Sequence, residues 1–166
     1  MADAVDLFTQ HWNRERPEVD VSPMAVIGRI QRLSRLFEHE LKQFFNEYGI
    51  EFWEFDVLAT LRRSGGDEGL TAGALIKVAM VTSGAITNRI DRLVAKDLVE
   101  RMPCPSDRRV IRVRLTAAGR QMIDDVLPKH MANEQRILAA LDLESREQLA
   151  GLLRTLAESL GDGVPD

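Results

Sequence analysis

Residues 70–116 read LTAGALIKVAMVTSGAITNRIDRLVAKDLVERMPCPSDRRVIRVRLT, and the fold follows from this stretch. Thr71 is placed to cap a short helix that carries Leu75, Ile76 and Val78 inward. Met80 and Val81 make a tight corner, and Thr82 or Ser83 caps a second helix. Two short helices joined by such a corner outline a helix-turn-helix.

In the second helix Ile86, Ile90, Leu93 and Val94 recur at the spacing that gathers one apolar stripe. Counting ~100° per residue, Asn88 falls roughly 175° from the centre of that stripe and Arg92 roughly 145°. With the small Gly84 and Ala85 beside them, these side chains point outward. Hydrogen-bonding groups among small residues suit a helix lying in a major groove, so Asn88 and Arg92 are the expected base readers. Thr82 and Ser83, at the helix start, are expected beside them on the DNA. Arg89 lies only about 85° from the stripe, on its border, and can turn back into the protein.

After Asp97, residues Leu98–Met102 and Val110–Leu115 have strand composition, and Ile111, Val113 and Leu115 alternate with Arg112 and Arg114. In the connection 103–109, PCPSDRR, two prolines and Ser-Asp argue against ladder pairing. Arg108 and Arg109 put positive charge at its tip, where Asp107 is placed to brace Arg109 through a charge-assisted hydrogen bond. Helix, turn, helix and basic hairpin add up to a winged helix. From Thr82 to Leu115 eight basic residues face four acidic ones, a net +4 within a chain whose formal charge is −4. A lone amphipathic helix bearing an arginine is ordinarily a solvated surface helix. Here the order of elements concentrates charge where this shape would meet phosphates, and that points to double-stranded DNA.

At this point Leu98-Val99-Glu100-Arg101, Asp107-Arg108-Arg109 and Leu115-Thr116-Ala117-Ala118-Gly119 resemble, in order and spacing, the signature of the MarR family of bacterial transcriptional regulators. The resemblance covers the chain from about Pro23 onward. It implies a mainly α protein with a small β-hairpin wing, a winged helix-turn-helix held in a homodimer, commonly a repressor released from its operator by a small anionic or phenolic ligand.

The flanks supply helices. Residues Val5–Trp12 read as a short helix with Val5, Phe8 and Trp12 on one face, followed by a linker that Pro17 keeps from being helical. Ser22 and Pro23 restart a long helix as N-cap and first residue, with Ile27, Ile30, Leu33, Phe37, Leu41, Phe44 and Tyr48 at helical spacing and Gly49 closing it. Phe52–Arg63 is the next, burying Phe52, Phe55, Leu58, Ala59 and Leu61 with Asp56 among them. Thr116 caps a helix kinked at Pro128, and Asp142 caps the last, with Leu149, Leu152, Leu153, Leu156 and Leu160 in a stripe. The division expected is therefore 1–21 as an extra helix and linker, 22–64 and 117–161 as dimerisation helices, and 65–116 as the DNA-binding winged helix.

Within the family the chain also resembles the urate-responsive subgroup, which carries an extra N-terminal helix with a tryptophan, here Trp12. That subgroup pairs an aspartate with two arginines, and Arg89 stands 33 residues after Asp56, Arg101 12 after Arg89. The resemblance implies that Trp12, Asp56, Arg89 and Arg101 hold a small organic anion such as urate. Another phenolic or carboxylate ligand, or oxidation of Cys104, are the alternative triggers. Arg101 and Arg108 are the neighbours that would favour a Cys104 thiolate, and a single cysteine allows no internal disulfide.

Other function classes fare worse. His11, His39 and His130 are scattered without metal-ligand spacing, and neither a phosphate-cradling glycine loop nor a nucleophile elbow is present, so no enzyme, metal or cofactor is expected. No apolar run approaches the ~20 residues of a membrane span, and the acidic N-terminus lacks a signal peptide's basic start, so the expectation is a cytoplasmic, nucleoid-associated protein. A dimeric winged-helix module for binding other proteins would keep the leucine stripes but has no use for Arg108 and Arg109 on a wing tip.

Overall fold

The computed structural model describes residues 2–78, 86–104 and 106–163. The chain divides into two compact units, Met1–Glu47 and Tyr48–Asp166.

The first unit is a pair of helices, α1 (Ala4–Glu15) and α2 (Met24–Asn46). Asp3 caps α1, accepting from the amides of Val5 and Asp6, while Asp6 returns a bond to the Asp3 amide. Arg29 of α2 then clasps both carboxylates, Asp3 at 2.9 Å and Asp6 at 2.6 Å. Val5 is buried, and a Cβ at Gly28 would meet it at 3.4 Å, so α1 lies close along α2 there. Of the face shared by Val5, Phe8 and Trp12, only Val5 is buried; Phe8 and Trp12 are both 48% exposed. Ser22 does not cap α2 as expected. Its Oγ donates to Asp20, whose carboxylate also takes the Ser22 amide, and the helix begins two residues later. Much of the apolar face of α2 is open: Ile27, Leu33, Leu36 and Phe37 are all exposed.

The second unit contains α3 (Phe52–Ser64), β1 (Leu70–Thr71), α4 (Ala72–Val78), α5 (Ile86–Ala95), β2 (Val99–Pro103), β3 (Ile111–Leu115), α6 (Ala117–Ile137) and α7 (Leu143–Ser159). Its core is drawn from all but β1 and α7: Phe55, Val57, Leu58 and Leu61 of α3, Leu75 of α4, Ile86, Ile90 and Leu93 of α5, Val99 of β2, Val113 of β3, and Ile123 and Val126 of α6. Phe52, Ala59 and Val94, expected inside, are not fully buried; Phe52 and Val94 are each 37% exposed. His130 is buried against the edge of the Phe55 ring, and that burial pushes its pKa below the ordinary value.

The sheet is antiparallel with order β1-β3-β2, one strand more than the hairpin expected. Thr71 pairs with Arg112 and also caps α4 through a bond from the Ala74 amide, so one residue ends a strand and starts a helix. Pro103 takes part in the ladder opposite Ile111, contrary to the expectation for the prolines. The Cys104 amide donates to the Val110 carbonyl at 2.7 Å, so the next pair inward, Pro103 and Ile111, is a non-hydrogen-bonded one where a proline loses nothing. The corner at Met80 and Val81 and the caps Thr82 and Ser83 lie outside the described residues.

Asp97 adopts φ 57°, and the Leu98 amide closes back on the Leu93 carbonyl, which turns α5 directly into β2. Thr116 caps α6, accepting from the Gly119 amide and donating to the Asp97 carbonyl at 2.6 Å. Helix α6 runs through Pro128 to Ile137, and Asp142 caps α7 as expected. Helix α7 buries no residue of its own; Leu143 and Leu152 are 71% exposed, and Leu160, at its C-cap, 79%.

Gly119 is the tightest point in this frame, since a Cβ there would lie 1.9 Å from the Leu98 carbonyl oxygen. Gly119→Ala is expected to lower stability by about 2–4 kcal/mol. Gly73, with nothing within 4 Å of its would-be Cβ, is the control: Gly73→Ala is expected to be neutral or to stabilise by up to ~0.5 kcal/mol. Urea unfolding of the two variants checks both.

Candidate nucleic-acid interface and ligand site

The apolar stripe of α5 anchors Ile86, Ile90 and Leu93 in the core, which leaves Thr87, Asn88, Asp91 and Arg92 exposed. Three basic side chains occupy the flank between stripe and open face. Arg89, Arg92 and Lys96 follow at i, i+3 and i+7, within an arc of about 60°. All three engage the N-terminal turn of α3. Lys96 Nζ donates to Glu54 Oε2 at 2.7 Å and to the Gly49 carbonyl at 3.1 Å. Arg92 Nη2 donates to Glu51 Oε1 at 2.7 Å, and its guanidinium lies 5.0 Å from the centre of the Trp53 ring. Arg89 approaches the same ring at 5.4 Å. The indole nitrogen of Trp53 donates to Glu51 Oε2 at 2.9 Å.

This cluster is the part of the site that reading the sequence missed. Glu51, Trp53, Glu54 and Lys96 carry no motif of their own. Their signal was the shared flank of Arg89, Arg92 and Lys96, which called for acidic and aromatic partners nearby. Arg92, expected to point freely outward, is exposed but engaged.

The wing holds most of its arginines in pairs. Arg101 pairs with Asp91 of α5 at 2.6 Å, Arg114 with Glu100 at 2.7 Å, and Arg112 donates to the Gly69 carbonyl at 3.0 Å with Glu68 at 3.5 Å. The expected tie between Asp56 and Arg101 is therefore not made: Asp91, on the exposed turn of α5 facing β2, takes that arginine, while Asp56 is buried in α3. Arg108 and Arg109 are exposed at the tip, and among the described residues their guanidinium groups have no acidic partner. Asp107 braces Arg109 differently from the expectation. Its Oδ1 accepts from the Arg109 backbone amide at 3.0 Å, which fixes the turn and leaves the guanidinium unattached.

Of the four residues implied for an organic anion, Trp12 belongs to the first unit and Asp56, Arg89 and Arg101 to the second. Arg89 has one buried guanidinium nitrogen, Nη1, with no hydrogen-bond acceptor among the described residues, a donor left open inside the protein. Cys104 is buried at the base of the wing loop, with its sulfur 3.2 Å from Ser106 Oγ. Hydrogen bonds from Ser106, and then from Arg112, pull its thiol pKa down to about 7; the expected neighbours Arg101 and Arg108 are not the cause.

An apolar-backed helix with an open polar face, joined through a tight turn to an antiparallel wing with exposed arginines at its tip, defines a winged-helix DNA-binding protein. The comparisons agree. The family model described as MarR family matches residues 48–110. The chain is 36% identical over 153 residues to the HTH-type transcriptional regulator PecS of Dickeya dadantii, covering 92% of each protein. Its backbone resembles AbsC, a MarR family transcriptional regulator from Streptomyces coelicolor, with a TM-score of 0.74 and 27% identity over 87% of this chain and 97% of that one. It also resembles a cysteine-to-serine mutant of Escherichia coli MarR complexed with operator DNA, with a TM-score of 0.69 and 26% identity over 87% and 96% of the two chains. The protein belongs to the MarR family and is a transcriptional regulator, not an enzyme.

The wing-loop thiol gives a direct check on the local electrostatics. The rate of Cys104 alkylation by iodoacetamide is expected to rise with pH through a midpoint near 7 instead of 9, because the thiolate is the nucleophile. Ser106→Ala should move that midpoint upward, since it removes the hydroxyl that hydrogen-bonds the thiolate.

Proposed function

We propose that the chain acts as a homodimeric repressor on a pseudo-palindromic operator of the bacterial nucleoid and is released from it by a small organic anion, urate being the first candidate. The observation that carries the DNA reading is the distribution of arginines on the wing. Every wing arginine below the tip is paired with a carboxylate, whereas among the described residues Arg108 and Arg109 have no acidic partner at the end that would reach the backbone or minor groove. Asn88 and Arg92 then read base edges in the major groove, and Thr82 and Ser83 contact the DNA beside them.

The exposed leucines of α7 and the open apolar face of α2 support the homodimer, since so much uncovered apolar surface on one chain fits an interface with a second copy. The ligand reading rests on the resemblance to the urate-responsive subgroup and on the open Nη1 donor of Arg89. In this reading Arg89 supplies the bidentate cation for a planar anion, Trp12 its stacking surface, and Asp56 and Arg101 the polar surroundings. A ligand held by Arg89 would act on the recognition helix itself, and it must prefer the released state by a few kcal/mol to matter.

The test is a duplex selected by the protein from a random pool, with affinities measured across salt. Arg109→Ala should weaken the selected and random duplexes alike and flatten the salt dependence by about 0.9 in slope, one phosphate contact. Asn88→Ala should instead relax preference at particular positions, costing ~1–3 kcal/mol of discrimination. Urate should release the wild type at concentrations that leave Arg89→Lys bound. Equal losses for both duplexes in the Asn88 variant would refute the division of labour, and release of both proteins at one urate concentration would refute the ligand site.

A further inference from the structure

The residue expected to read bases, Arg92, is already occupied. Glu51 divides its carboxylate between two partners: Oε1 takes the Arg92 guanidinium and Oε2 takes the Trp53 indole N–H. The Trp53 ring lies under the guanidinium at 5.0 Å, so Arg92 is held by charge on one edge and by the ring on its face. Arg92 and Trp53 in turn keep the Glu51 carboxyl below the usual carboxylate range, so it is ionised throughout the pH range of DNA binding.

We propose that Glu51, oriented by Trp53, is a specificity determinant for DNA binding: an internal carboxylate that competes with phosphate for Arg92 and suppresses binding to DNA that offers charge without the matching bases. The proposal rests on the reading of α5 as the recognition helix. A guanidinium binds carboxylate and phosphate through the same bidentate, charge-assisted geometry. Non-specific binding is carried by phosphate contacts. A random duplex can therefore offer Arg92 only the exchange of one anion for another. A matched site offers more, two acceptors on a guanine edge together with contacts from Asn88 on the same face. Specificity is a difference of affinities, and raising the threshold for the wrong partner serves it as well as improving the right one. Both members are about half exposed, 51% for Arg92 and 52% for Glu51, so the restraint is modest, roughly two- to fivefold. Glu54 does not share this role. Its carboxylate is fully buried, out of reach of DNA, and its pair with Lys96 is structural.

The experiment is a double-mutant cycle of Glu51→Gln and Arg92→Gln in the full chain. Binding is measured by fluorescence anisotropy on alternating poly(dA-dT) fragments, which carry no guanine edge, and on the duplex that the wild type selects from a random pool. Glu51→Gln is expected to bind poly(dA-dT) about two- to fivefold tighter, with a salt slope steeper by about 0.9, while the selected duplex gains less. In the Arg92→Gln background the same change should bring at most a small long-range gain and no change of slope. Trp53→Phe, which keeps a ring under Arg92 but loses the N–H that orients Glu51, should move part of the way toward Glu51→Gln, and Trp53→Leu, which loses both, should move further. An unchanged ratio between the two duplexes, or an equal gain with Arg92 absent, overturns the proposal. Should Glu51→Gln fail to fold by circular dichroism, Arg92→Gln alone decides: it should weaken the selected duplex and leave poly(dA-dT) nearly untouched, and equal losses would overturn the idea. A wild type with no salt-dependent affinity for any duplex would instead sink the underlying DNA reading.

Discussion

A carboxylate stripped of water must have a cation beside it, and in this protein that requirement falls on Glu54. It is fully buried one turn into α3; Oε2 accepts from the Glu51 amide and from Lys96 Nζ, and Oε1 has no hydrogen-bond partner among the described residues. Lys96 stands just past the end of α5 and also donates to the Gly49 carbonyl, so the C-terminal end of α5 is pinned to the start of α3. Loss of Lys96 would leave a buried charge nearly alone, at a cost of about 1–3 kcal/mol once the partial exposure of the ammonium is allowed for. Much of that cost would appear as freedom of α5. The wing depends on the same anchor, because Asp97 turns the chain from α5 straight into β2.

With the helix placed, the remaining basic groups sort themselves by what they can reach. Those near the body find carboxylates: Arg92 finds Glu51, Arg101 finds Asp91, and Arg114 finds Glu100. Those at the tip of the wing find none among the described residues. Exposed pairs of this kind contribute little to stability, about 0–1 kcal/mol each. Their effect is on partner choice, since they cancel charge where it would attract any polyanion and leave it where the wing would touch one.

Sequence alone revealed much of this because the relevant signals are local. The stripe of Ile86, Ile90 and Leu93, the strand through Ile111, Val113 and Leu115, and the caps Thr116 and Asp142 each follow from a few neighbouring residues and each is observed, though of the three strand residues only Val113 is buried. What was not legible depends on residues far apart in the chain. Strand β1 exists because Leu70 meets Val113, and two residues have no periodicity to read. Arg101 chose Asp91 over Asp56 because the turn after α5 brings β2 alongside it. The Glu51-Trp53-Arg92 cluster joins residues about forty positions apart, and only folding places them together. Trp53 was passed over for the same reason, while Trp12 drew notice through a resemblance.

The account stands or falls on α5 and the wing acting in a two-fold pair on duplex DNA. Hydroxyl-radical footprinting of the protein on its selected duplex measures this most directly. Two protected half-sites related by a two-fold axis, with centres one helical turn apart, about 10–10.5 base pairs, and flanking protection from the wings, are the predicted result. A single protected patch without two-fold symmetry, or uniform protection independent of sequence, would contradict it.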